Sequence, residues 1–118
     1  MSVFATTAET RERHPDGRLQ TPYFKANYAT VKEAVKRHAK SMGYDVQGEN
    51  DQHGELFLKS KRGHIIATII QVLPTETAVD FKTQVYALLG LKRPQKTILT
   101  LMAKLKADLS FKGSGLHP

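Results

Sequence analysis

Apolar residues recur at spacings of three and four through Tyr28, Val31, Ala34, Val35, His38, Ala39 and Met42. That period is the buried stripe of an amphipathic helix. Lys32, Glu33, Lys36, Arg37 and Lys40 fill its other side. Asn27 or Thr30 can cap the start, and Gly43 suits a left-handed stop, so the spacing predicts a helix over 28–42. A second stripe, Ile98, Leu101, Met102, Leu105 and Leu109, follows Pro94. Proline is at home in a first helical turn, and a helix over 94–109 is expected.

Between these segments the period drops to two. Tyr44 and Val46 alternate with polar residues, and 48–54 reads as a loop by composition. Glu55 to Lys59 reads as a strand, Ser60 to Gly63 as a tight turn, and His64 to Val72 as a longer strand that Pro74 ends. Thr77, Val79, Phe81, Thr83 and Val85 alternate with Ala78, Asp80, Lys82 and Gln84, the pattern of a half-buried antiparallel strand. Short connections favour neighbours in chain order. The expected fold is an α+β two-layer sandwich of order α-β-β-β-β-α. Its four strands form an antiparallel meander, with both helices on one face. The core is expected at Val31, Val35, Ala39, Leu58, Ile70, Val79, Phe81, Ile98, Met102 and Leu105.

The third of these strands departs from simple alternation. Ile65, Ala67 and Ile69 lie on one side, Ile66, Ile70 and Val72 on the other, and both sides are apolar. A strand with two apolar faces is expected where both faces are covered. One cover is the helix layer. The other is a second copy of the chain or another partner, with Ile65, Ala67 and Ile69 as the candidate self-association residues and a two-fold dimer as the default. The alternative cover is the N-terminal segment, through Val3 and Phe4.

Residues 1–22 read as a polar, flexible leader outside the domain, which occupies 23–111, and 112–118 as a flexible tail. The leader holds three basic and three acidic residues. Glu9 and Arg13 are spaced for a helical turn, and His14-Pro15-Asp16-Gly17 is a turn signal.

Charge changes this picture more than length does. The 118 residues carry 18 Lys+Arg against 11 Asp+Glu, a net +7. Because the leader is balanced, the whole excess falls on 23–118. Basic residues concentrate at Lys59, Lys61 and Arg62 on the hairpin turn, at Lys92, Arg93 and Lys96 around the start of the last helix, and on the outer side of the first helix. Such clusters suit nucleic acid or another polyanion. The candidate contacts are Lys59, Lys61, Arg62, Lys92, Arg93 and Lys96. The acids cluster instead at Asp45, Glu49, Asp51 and Glu55, which reads as a solubilising stretch that offsets nearby lysines.

Other chemistries are thinly supplied. Cysteine is absent, which removes disulfides, thiolate metal sites and cysteine nucleophiles. The five histidines, His14, His38, His53, His64 and His117, have no metal-binding spacing. No P-loop, dinucleotide fingerprint or nucleophile elbow is present. No metal or cofactor is expected. No apolar run reaches the about 18 to 20 residues of a membrane span, and the N-terminus lacks a secretory pattern, so a cytoplasmic protein is expected.

The helix–strands–helix order, closed by Leu91-Lys92-Arg93-Pro94-Gln95-Lys96-Thr97, resembles the double-stranded-RNA-binding domain in topology. That family has three strands where four are read here, and no functional residue carries over. The expected function is a small basic cytoplasmic non-catalytic binding or interaction domain, self-associating through its sheet. Polyanion binding through the Lys/Arg patches is the alternative, and an apolar-ligand carrier the second alternative.

Overall fold

The Asn27 side chain accepts a hydrogen bond from the Thr30 amide at 2.9 Å and opens helix α1, Tyr28–Ser41. Gly43, at φ +91°, ends it in the left-handed region that suits glycine. The structure, a computed structural model, describes residues 4–87 and 94–115. Its strands are β1 (Phe4–Glu9), β2 (Pro22–Phe24), β3 (Asp45–Asn50), β4 (Glu55–Ser60), β5 (Gly63–Leu73), β6 (Glu76–Ala87) and β7 (Phe111–Ser114). Helix α2 spans Pro94–Asp108, and a short 3-10 turn spans Gly17–Leu19. The chain is thus α+β, with two helices and one large antiparallel sheet.

The sheet is larger than the four strands read from the sequence. Its order is β3-β4-β5-β6-β2-β7, with β1 also paired to β6, seven strands together. β3 to β6 form the expected meander. The additions come from segments that read as leader and tail. β1 runs antiparallel to the C-terminal half of β6, from Phe4↔Ala87 to Glu9↔Lys82. β2 pairs with the N-terminal end of the same edge, through Tyr23↔Ala78 and Phe24↔Thr77, and β7 pairs with β2. Glu9 therefore ends a strand and starts no helical turn. With two strands ahead of α1 and one after α2, the order also departs from the double-stranded-RNA-binding topology.

Register decides which side of β5 is inside. Ala67 stands opposite Leu56 and Phe81, Ile65 opposite Leu58 and Thr83, and Ile69 opposite Val79. All of these are buried, and Ile65, Ala67 and Ile69 are 1%, 0% and 3% exposed. Ile70, expected in the core, is 45% exposed. A strand with two apolar sides offers no alternation of its own, so its neighbours choose the register. The other nine expected core residues are buried. Val31, Ala34, Val35 and Ala39 of α1 and Ile98, Leu101, Met102 and Leu105 of α2 join this sheet face in one hydrophobic cluster.

Gly54 holds the β3–β4 turn against β5. Its carbonyl accepts the Ile69 amide at 2.7 Å, its φ is +68°, and a Cβ there would stand 2.2 Å from the Ile69 carbonyl oxygen. Only glycine permits that approach.

Phe81→Ala is expected to cost about 3–5 kcal/mol, as for other buried aromatics, whereas Ile70→Ala stays within about 1 kcal/mol of wild type. Urea unfolding midpoints of the two variants check the assigned register.

Candidate functional site

Much of the basic charge of α1 is answered by the chain's own acids. Lys32 Nζ lies 2.7 Å from Glu49 and 2.7 Å from Asp51. Lys36 reaches Glu49 at 3.2 Å and Glu33 at 3.5 Å. Arg37 pairs with Asp108 of α2, and His38 Nε2 stands 2.9 Å from the same carboxylate. The electrostatics follow these contacts. The hydrogen bond from Lys32 holds Asp51 below the usual carboxylate range, and those from Lys32 and Lys36 do the same for Glu49. Asp108 is lowered by His38 and then Arg37, and Lys32 is raised by Asp51 and then Glu49. The acidic stretch thus binds β3 and its turn to α1.

The β4–β5 turn is different. Lys59, Lys61 and Arg62 are exposed, and among the described residues no ion pair involves them. The Arg62 amide donates to Ser60 Oγ at 3.1 Å, and the Arg62 carbonyl accepts the Tyr86 amide at 2.7 Å. These bonds fix the turn beside the end of β6. A surface cleft of about 560 Å³ opens there, lined by Met42, Gly43, Asp45 and Gln47 as well as Lys59 to Arg62. A second cleft, about 700 Å³, lies between α1 and β3 and includes Lys36, Arg37, Lys40 and Tyr44. Both linings carry several charges, unlike the mostly apolar wall of a carrier for apolar ligands. Of the remaining polyanion candidates, Lys96 is exposed near the start of α2. Lys92 and Arg93 lie outside the described residues.

The structure places the proposed self-association residues Ile65, Ala67 and Ile69 in the core, so they present no surface. The other set of β5 faces outward. Register lays this outer face out in rows. Asp45, Lys59, His64, Gln84 and Thr7 form one row, and Phe57, Ile66, Lys82 and Glu9 the next. Glu55, Thr68 and Asp80 follow, and then Ile70, Ala78 and Tyr23. His64 Nδ1 lies 3.3 Å from the Tyr86 hydroxyl, with the rings edge-on. β1 extends the sheet along β6, and Val3, the other residue of the alternative cover, lies outside the described residues.

Asp80 marks where that added edge is interrupted. Between β1 and β2 the chain leaves the sheet. Thr10 Oγ1 and Thr21 Oγ1 both donate to Asp80 Oδ1, at 2.8 and 2.6 Å. Thr10 Oγ1 also accepts the Phe81 amide at 2.8 Å. Burial pushes the Asp80 carboxyl up, against the lowering effect of the two hydroxyls, and the nearby Glu12 and Glu9 charges push it further. The Tyr23 hydroxyl donates to Glu12. Composition gave no sign of this clamp, because it depends on residues about 60 to 70 positions apart.

No family model matches the chain, and no curated protein matches its sequence. Among the described residues, no group of three or more His, Asp or Glu is placed to hold a metal ion. No described helix is long and apolar enough to cross a membrane.

Acid should act with two signs. Glu49, Asp51 and Asp108 have folded pKa values below their unfolded ones. Their stabilisation is present above the ordinary carboxylate pKa of about 4 and is lost as pH falls through the folded values. Asp80 is raised, so its protonation favours the folded state as pH falls. Thermal melts between pH 7 and pH 2 should show a fall in Tm. Glu49→Gln with Asp108→Asn should flatten that fall, and Asp80→Asn should steepen it.

Proposed function

We propose that this chain is a small basic, non-catalytic interaction domain that works through the outer face of its sheet, with self-association as its first use. The observation that carries the reading is the outward side of β5 and β4. Phe57 and Ile66 are half-buried neighbours on that face, and Ile70 and, beyond it, Leu73 are 45% and 55% exposed. Apolar side chains left on an outward sheet face suit an interaction surface, here in two patches on either side of the Glu55–Thr68–Asp80 row. The reading takes the two helices as one layer behind the sheet, which the single core cluster of α1, α2 and the inward sheet residues supports. A cytoplasmic setting suits the cysteine-free sequence.

Sedimentation over a micromolar concentration series tests it. The wild type should exceed the monomer mass, and Ile66→Lys should give a folded monomer. Ile69→Lys, which buries a charge in the core, should unfold the domain. A wild type that is monomeric throughout would overturn the reading.

A second reading rests on the division of charge. Lys32, Lys36 and Arg37 are engaged by acids, whereas Lys59, Lys61 and Arg62 stand together on an exposed turn. That turn is a candidate polyanion contact. Salt titrations against duplex RNA, duplex DNA and single strands should show binding whose log–log salt slope drops by about 1 for each cation neutralised. Lys61→Ala with Arg62→Ala is the variant to compare, and equal slopes for it and the wild type would reject the turn as the contact.

A further inference from the structure

We infer that the basic β4–β5 turn takes single-stranded nucleic acid, whose bases stack on a line of three aromatic rings beside it. This rests on the polyanion reading of that turn and adds the class of polyanion and the surface that selects it. The rings are Tyr86, His64 and Phe57, on β6, β5 and β4. His64 stands opposite Gln84 and Phe57 opposite Ile66, so each ring lies one strand and one outward row from the next. Diagonal neighbours of this kind are about 7–8 Å apart, within reach of aromatic side chains. Tyr86 is 40% exposed, and His64 and Phe57 are half-buried on the same outward face. The His64 and Tyr86 rings have centres 6.2 Å apart and planes inclined at 63°. Rings so inclined do not stack on each other, which leaves ring surface for a base.

Cations border this line on the side of the turn. Lys59 stands opposite His64, and the Arg62 carbonyl accepts the Tyr86 amide at 2.7 Å, so the turn begins next to the rings. Asp45 lies opposite Lys59 and Glu9 opposite Lys82, which offsets those two lysines. Lys61 and Arg62 have no such opposite acid, and both are exposed. So few cations give a modest, salt-sensitive grip on any polyanion, since each neutralised phosphate of a single strand adds only about 0.7 to the log–log salt slope. Stacking then decides which polyanion is held. In a duplex the base faces are covered by their neighbours, whereas an unpaired strand offers backbone charge and open base faces together. Binding of this kind tolerates many sequences, because every base has a face to stack. The Glu55–Thr68–Asp80 row bounds the site, since acids there oppose a phosphate.

Comparing polyanions with and without bases tests the stacking. Binding is followed by the fluorescence anisotropy of labelled oligo-dT and oligo-U strands and of a labelled duplex of equal length. Inorganic polyphosphate, which carries charge but no base, serves as competitor. The wild type should hold either single strand at least about fivefold more tightly than the duplex, and a preference between oligo-dT and oligo-U tells DNA from RNA as the source. Tyr86→Ala should weaken single-strand binding at least about fivefold, the loss of one stacked base, and leave the polyphosphate affinity within about twofold. Tyr86→Phe should keep the wild-type affinity. Phe57→Leu, which keeps apolar bulk without the ring, should weaken single-strand binding in the same selective way. Lys61→Ala with Arg62→Ala should weaken single strand and polyphosphate alike and lower the salt slope by about 0.7 for each cation removed. A Tyr86→Ala variant with no loss, or with an equal loss on polyphosphate, would overturn the stacking site, as would a duplex bound as tightly as a single strand. The turn stands as a polyanion contact in that case if the Lys61 and Arg62 double variant still binds every probe less tightly. A wild type that binds no probe removes both readings.

Discussion

The fold depends on keeping both edges of one buried strand hydrogen-bonded. β6 is 12 residues long, and its inward residues Thr77, Val79, Phe81, Thr83 and Val85 are all buried. Buried backbone groups without partners are costly, so each edge of this strand needs a neighbour. β5 serves one edge over nearly its whole length. The other edge is shared by β1 and β2 in tandem, with the excursion from Thr10 to Thr21 between them. At the junction a side chain takes over from backbone: Thr10 Oγ1 receives the Phe81 amide, while the Thr10 amide donates to the Phe81 carbonyl at 2.9 Å. Asp80 then gathers the hydroxyls of Thr10 and Thr21 and holds the two stems of the excursion together. Even a partly buried carboxylate costs free energy, and its two hydroxyl donors offset part of that cost.

The same economy shapes the surface. A net charge of +7 would suggest a uniformly basic molecule. Placement makes it uneven, because Glu49 and Asp51 draw Lys32 and Lys36 to β3, and Asp108 draws Arg37 and His38 toward the end of α2. Exposed pairs of this kind add little stability individually. Their larger consequence is to take much of the α1 face out of competition for an external anion. Lys59, Lys61 and Arg62 at the β4–β5 turn, by contrast, stand exposed. Three exposed cations therefore gather at this turn, with Asp45 of β3 opposite Lys59.

By itself the sequence determined the parts whose signals are local. Both helices have stripes of period 3.6 and recognisable ends, and they lie within a residue or two of where Asn27, Gly43 and Pro94 point. The alternation from Thr77 to Val85 marked the inner face of β6 correctly, and the Ser60–Gly63 turn marked the β4–β5 hairpin. Tertiary structure alone decided three further things. It recruited Phe4–Glu9, Pro22–Phe24 and Phe111–Ser114 into the sheet, because segments of three to six residues are too short to show a strand pattern of their own and become strands through a distant partner. It turned Ile65, Ala67 and Ile69 inward and Ile70 outward, because a strand apolar on both sides takes its register from Leu56, Leu58, Val79 and Phe81 beside it. And it separated engaged lysines from exposed ones, because which acid a lysine meets depends on chain segments brought together only by folding, as Asp108 is brought to Arg37.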